Sequence, residues 1–428
     1  MKYSITNTEG FSLATMTQPR SKTVVTYISI DVHHEQTARV RATELLYTDA
    51  LISGAGKYNR EQFLDALNIL GATISAGISD GILTFFIRSR ADVFKKVVLL
   101  LETMLLEPHF DATELKRIKQ TVTNLIKESK EDSRAIAHEQ LRNSFYGQQD
   151  RRYTFDEDTL IEAISKVTKK DLQSFHKRVC SLTFTCSMAG RTEEVSTMQK
   201  GVRGVKTKYP TLSGDTGIHQ QKPPAPGLIL KNIPSRQNID FSIGAPIPIT
   251  LHHPDYLPLM FGVAILGGPS FSSRLMSTVR EKEGLTYDIR ANTETFYSEE
   301  QGYWRVSCFF APEKTIEGLT ATFREVKKIF QKGITQGELE RYQKVYLTKQ
   351  ALLKDSTARQ LNDLHAYHMQ KFSLEEIVEH KNRVHTLTFE EVNAAIKMYL
   401  NPNLLTVSGA GPTVTVKKSL QAFMETVA

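Results

Sequence analysis

Arg280 and Tyr287 stand seven positions apart in the stretch Arg280-Glu281-Lys282-Glu283-Gly284-Leu285-Thr286-Tyr287. A guanidinium and a phenol can both donate hydrogen bonds to a carbonyl oxygen or an oxyanion. A plainer account is also open. Leu285, Tyr287, Ile289 and Ala291 alternate like one face of a strand, which would make Tyr287 a core aromatic and leave Arg280 to complement a helix C-terminus. The dense metal candidates are His33-His34-Glu35 and His365-Ala366-Tyr367-His368. His365 and His368 can share a helix face, yet neither group has a third ligand at a motif-like spacing, so they read as strand-end and helix-surface histidines. Cys180, Cys186 and Cys308 are odd in number and lack ligand spacing, as reduced, buried thiols would. Gly267-Gly268-Pro269-Ser270 lacks the Gly-Lys-Ser/Thr of a phosphate loop and reads as a close-packing turn.

The elements that position these residues occur twice. Glu114-Leu115-Lys116-Arg117 returns as Glu338-Leu339-Glu340-Arg341, and Val167-Thr168-Lys169-Lys170-Asp171-Leu172 returns as Leu387-Thr388-Phe389-Glu390-Glu391-Val392. Thr168 and Thr388 are helix N-caps with an acid three positions on. A short apolar strand closes each half, at 182–188 and 404–408, and alternating strands open each, at 26–32 and 240–245. A helix follows in each half and stops at glycine: Phe63, Leu67 and Leu70 before Gly71, Leu275 and Val279 before Gly284. We therefore expect an α+β protein of two homologous domains, each a mostly antiparallel sheet with segregated helices, over residues 1–205 and 228–428. The stretch 206–227, with Ser213-Gly214-Asp215 and Pro223-Pro224-Ala225-Pro226-Gly227, reads as a surface linker with few contacts of its own.

With 54 Lys and Arg against 47 Asp and Glu in 428 residues, the net charge is +7. The charges interleave, as in Lys127-Glu128-Ser129-Lys130-Glu131-Asp132, which argues against nucleic acid and suits an acidic peptide or an acidic partner. No apolar run approaches the roughly 20 residues that span a bilayer. Met1 to Asn7 shows no apolar stretch behind Lys2, so the expected compartment is the cytoplasm, or the periplasm if a leader has been trimmed.

The stretch 45–90 resembles the N-terminal core of insulinase/pitrilysin peptidases, which carry the inverted zinc motif H-x-x-E-H on a helix shortly before a glycine. Gly54, Tyr58-Asn59-Arg60-Glu61-Gln62-Phe63 and Leu70-Gly71-Ala72 carry that likeness. In the second half, Leu266-Gly267-Gly268, Phe271-Ser272-Ser273-Arg274-Leu275 and 280–287 extend it over essentially the whole chain. Counting back from Gly54, the motif positions fall on Leu45, Thr48 and Asp49, and the third-ligand position falls at or beside Leu125. Leucine cannot ligate, threonine is no base at neutral pH, and a lone carboxylate does not make a zinc site. The resemblance thus implies a chain with no cofactor of its own, inactive alone, paired with a zinc-bearing paralogous subunit or with itself to hydrolyse peptides. It further implies that Arg280 and Tyr287, as the Arg and Tyr of the non-zinc domain, assist that subunit's chemistry. The alternatives are an inert scaffold, resembling the respiratory-complex core subunits of this fold, and a homodimeric peptide-binding protein.

Overall fold

The computed structural model describes residues 2–32, 36–212, 221–269, 272–294, 296–297 and 299–427; His33-His34-Glu35, Ser213-Gly214-Asp215, Ser270 and Phe271 lie outside them. Two compact units emerge. The first takes Met1–Lys127, Phe155–Gly217 and Gln350–Glu379, and the second takes Glu128–Thr154, Ile218–Lys349 and His380–Ala428.

The first unit contains β1 (Lys2–Thr8), β2 (Phe11–Thr17), β3 (Thr23–Asp31), a short ladder of β4 (Gly54–Ala55) with β5 (Tyr58–Asn59), β6 (Thr73–Ser79), β7 (Ile82–Arg90) and β8 (Phe184–Gly190). Its main sheet runs β1-β2-β8-β3-β7-β6, and all neighbours are antiparallel except the β2–β8 pair. The second unit holds β9 (Gly227–Asn232), β10 (Ile239–Pro246), β11 (Ile289–Glu294), β12 (Tyr303–Phe310) and β13 (Thr406–Gly411) in the order β11-β12-β10-β13-β9. Here too the last pair, β13–β9, is parallel and the rest antiparallel. Read from β6, the first sheet has the same topology plus β1. The duplication seen in the sequence is therefore a duplication of fold, and the α+β expectation holds.

Helix starts follow the sequence. Thr168 accepts from the Asp171 amide while Asp171 reaches back to Thr168 N at 2.7 Å, and Thr388 and Glu391 repeat this capping box. Helix Arg60–Ile69 stops before Gly71, whose φ of +56° suits a residue without Cβ.

One face of each sheet builds an apolar core: Val24, Ile28, Ile30, Cys186 and Met188 in the first, Phe241, Ile243, Trp304, Val306 and Phe310 in the second. Alternate residues face the other way. Ser12, Ser29 and Ser187 do so in the first unit, Asp240 and Ser408 in the second, and each polar face is covered by a helix from the opposite half of the sequence. Helix Thr357–Met369 packs on β8, β3 and β2, while Ser133–Phe145 packs on β10 and β13. The duplicated strands follow one another along the chain, β2 to β8 and then β9 to β13. As packed bodies the units instead trade one segment each, because a half-polar sheet face needs a cover that can hydrogen-bond it.

The traded helices meet that need. Ser133 Oγ donates to Asp240 at 2.5 Å, His138 Nε2 lies 2.6 Å from the Tyr303 hydroxyl, and Ser408 Oγ donates to Gln140 at 3.3 Å. A buried ion cluster behind Ser133–Phe145 holds the segment down, with Arg152 bridging Asp150 (2.7 Å) and Glu300 (3.2 Å) and Arg151 on Glu300 (2.8 Å).

The described ends of the stretch 206–227 are better anchored than a free linker. Helix Thr192–Lys208 runs through its first three residues, where Lys206 Nζ donates to Cys180 O at 2.8 Å. Farther on, Lys222 N donates to Phe145 O at 2.8 Å, and β9 begins at Gly227. Among the described residues no helix is long and apolar enough to cross a membrane. All three cysteines are free and buried, and burial pushes the Cys180 thiol up to about 12.

Candidate functional site

Arg280 lies near the end of a helical segment, Met276–Lys282, wound as a π-helix. Such winding shifts the side-chain register relative to an α-helix and recurs at functional sites. The segment is pinned from below by Leu275 and Val279, both fully buried. It ends as the sequence predicts: Gly284 has φ +64°, its amide donates to Arg280 O at 3.1 Å, and Leu285 N donates to Val279 O at 3.0 Å. The chain then turns toward β11, which starts only at Ile289.

That late start decides against the core-aromatic account of Tyr287. Leu285, Ile289 and Ala291 are buried, but Tyr287 is 76% exposed, since the pleat that would turn it inward has not begun. The ring instead stands against Arg280, whose guanidinium carbon lies 4.6 Å from the ring centroid. This cation–π contact brings the two expected residues together on the surface. At the corresponding places of the first unit, Leu67 and Ile74 are buried aliphatics, 4% and 7% exposed. The same topology thus carries core residues in one unit and an outward polar pair in the other.

Around the pair runs a charge network that sequence reading missed. Asp288, next to Tyr287, receives Arg290 Nε at 2.8 Å and Arg134 at 3.3 Å, and Glu283 pairs with Arg324. Arg134 is 154 residues away in sequence, so no local signal could have linked it to Asp288.

The positions that the resemblance assigns to the zinc motif lie on helix Ala38–Leu51 in the first unit. Leu45 is half-buried against the apolar core, Thr48 is half-buried and Asp49 is exposed. Leu125, on helix Ala112–Ser129, is 58% exposed. Between these positions Tyr47 points inward, its hydroxyl 2.8 Å from His176 Nδ1, while His176 Nε2 meets Leu105 O at 2.9 Å. That histidine is a core hydrogen-bonding group, and burial lowers it to about 4. A zinc ion of the family type does not fit this donor set: two aliphatic side chains, one hydroxyl and one lone carboxylate. No group of three His, Cys, Asp or Glu among the described residues could hold a metal. Elemental analysis of the purified chain is expected to find well under one zinc per molecule, and about one tightly held zinc would overturn this.

His365 and His368 correct the helix-surface expectation. They are 6% and 5% exposed, not on the helix surface. His365 lies 2.8 Å from Ser29 Oγ and 2.9 Å from Ser187 Oγ, and stacks on Tyr27; His368 lies 2.6 Å from Ser12 Oγ and 3.2 Å from Ser187 Oγ. They are the polar filling between a traded helix and the serine-bearing sheet face.

Two family models match the chain: "Insulinase (Peptidase family M16)" over residues 46–158 and "Peptidase M16 inactive domain" over 166–346. The chain is 28% identical over 165 residues to the non-peptidase homolog YmxG of Helicobacter pylori, covering 38% of this chain and 37% of that protein. It is 32% identical over 93 residues to the chloroplastic stromal processing peptidase of Pisum sativum, covering 22% of this chain and 7% of that protein. Both matches thus span well under two thirds of those relatives' own lengths. A crystal structure of a peptidase M16 inactive domain from Pseudomonas fluorescens superposes with TM-score 0.87 at 21% identity, over 97% of this chain and 98% of that one. With its two matched models in chain order, its duplicated fold and its empty motif positions, this chain belongs to the insulinase family, peptidase family M16, as a member without the family's zinc ligands.

Proposed function

We propose that this chain is the zinc-free subunit of a two-component peptidase, forming one wall of a peptide chamber whose metal and attacking water come from a zinc-bearing paralogue. The observation that carries the reading is Tyr287, exposed beside the Arg280 cation where the duplicate copy buries Ile74 and Leu67. An exposed aromatic stacked on a guanidinium has no packing role to explain it. Both groups can donate to a scissile carbonyl or to the oxyanion that forms from it. An extended peptide would join by strand addition, for which β6 and β11 offer sheet edges. The three free thiols accord with a reducing compartment, so we place the pair in the cytoplasm.

The name of the Helicobacter relative, a non-peptidase homolog, favours a second reading in which the chain is an inert scaffold of the same fold. The two separate on reconstitution with a zinc-bearing paralogue from the same source. The chain alone should cleave no fluorogenic peptide, and the co-eluting mixture should cleave far faster than the zinc subunit alone. Equal rates with and without this chain would leave only the scaffold.

A further inference from the structure

A polar cavity of about 500 Å³ opens at the end of the second unit's sheet where β10 begins and β12 ends. Its walls carry Arg134, Ser235, Arg236, Gln237 and Asn238, with Phe309 on one side. The loop from β9 to β10 that presents four of these is held by its backbone: Ile233 N donates to Gly411 O at 2.7 Å and Arg236 N to Ile233 O at 3.2 Å. Its side chains are uncommitted. Among the described residues Ser235, Arg236, Gln237 and Asn238 make no side-chain hydrogen bond or ion pair, and Arg236 is exposed. The one carboxylate lining the cavity, Asp240, is already engaged by Ser133 Oγ at 2.5 Å and lies 3.8 Å from Arg134.

A guanidinium and two carboxamides on a fixed loop, beside a single satisfied carboxylate, form a donor set matched to a carboxylate. The phenyl ring of Phe309 can take the methylenes that lead to it. Location ties the cavity to the candidate site. β11 starts at this same end of the sheet, with Ile289 opposite Cys308, and Asp288 beside Tyr287 is joined to the cavity wall through Arg134 at 3.3 Å.

We infer that this cavity is a carboxylate subsite, and that the peptides engaged at Arg280 and Tyr287 are acidic or end nearby in a free C-terminus. The inference rests on the peptide-chamber reading, but binding to the isolated full-length chain tests it without any turnover. The probes are a fluorescein-labelled glutamate-containing peptide and its glutamine counterpart, each made as the C-terminal acid and as the amide. Wild type should bind the glutamate peptide or the free-acid forms more tightly. Arg236→Ala should weaken that binding about tenfold, the scale of one charge-assisted hydrogen bond, and leave the glutamine amide unchanged. A preference following glutamate assigns the subsite to an acidic side chain; one following the free acid assigns it to a C-terminus. Equal binding of all four probes, or no loss in Arg236→Ala, overturns the inference. So does an Arg236→Ala chain that binds peptide normally but no longer co-elutes with the zinc-bearing subunit, which would make the cavity a subunit contact. If Tyr287 variants keep full turnover while the peptide data hold, the chamber chemistry fails and the subsite stands.

Discussion

Tyr287→Phe is expected to lower turnover of the reconstituted complex by about 10²-fold while leaving the melting temperature of this chain unchanged. The size follows from losing one hydrogen-bond donor to a developing oxyanion, worth roughly 10² to 10³ in kcat. Unchanged stability follows from exposure: at 76% exposed, the hydroxyl has little buried environment to lose, and such surface changes stay within about 0.5 kcal/mol. Phenylalanine keeps the ring that Arg280 faces at 4.6 Å, so the variant isolates the hydroxyl from the cation–π contact. Arg280→Ala removes the cation and should cost turnover on a similar scale, again in a folded chain that still pairs. A lowered melting temperature with normal turnover per folded complex would instead make the pair a structural feature, and the catalytic reading would end there.

The second large effect is acid unfolding. Burial depresses four histidines: His138 and His365 to about 3, His176 and His368 to about 4, from an ordinary 6.5. Between pH 6.5 and those values the unfolded chain binds more protons than the folded one. Stability is therefore fully present above pH 6.5 and is lost as pH falls toward 4. At about 1.4 kcal/mol per pH unit, each histidine forfeits about 3 kcal/mol by pH 4, and together they approach the whole stability of a typical domain, about 5–15 kcal/mol. The carboxylates do not confuse this window. Asp171 and Glu338 are held down to about 2 by Arg39 and Arg274 against their own burial, so their contributions fade only at pH below about 4.5. Urea midpoints measured from pH 7 to 4.5 should fall steeply, and His365→Asn with His368→Asn should flatten the fall. A midpoint level across that range would refute buried neutral histidines between the traded helix and the serine face.

Much of this protein was legible without coordinates. The duplication shows in sequence because each half repeats its capping threonines, its glycine stops and its alternating strands, and these are local rules obeyed within a few residues. The zinc deficit is legible for a different reason. Whatever the fold does, Leu45 and Leu125 have no lone pair to offer and Thr48 no basic oxygen at neutral pH, so side-chain chemistry alone excludes the family's metal site. The pairing of Arg280 with Tyr287 across a glycine-terminated turn was likewise within local reach.

Burial was not. Tyr287 belongs to an apolar alternation yet faces solvent, and His365 and His368 belong to a polar-looking helix yet lie inside. Which way each points depends on where a strand begins to pair and on which distant segment covers it. His365 meets Ser29, 336 residues away, and Ser133 meets Asp240 across 107. Residue types and spacing determined which ligands the expected motif positions cannot offer and where the chain's elements start and stop. Only the tertiary structure decided which side chains water reaches, because exposure is set by contacts between segments whose separation along the chain carries no periodic signal.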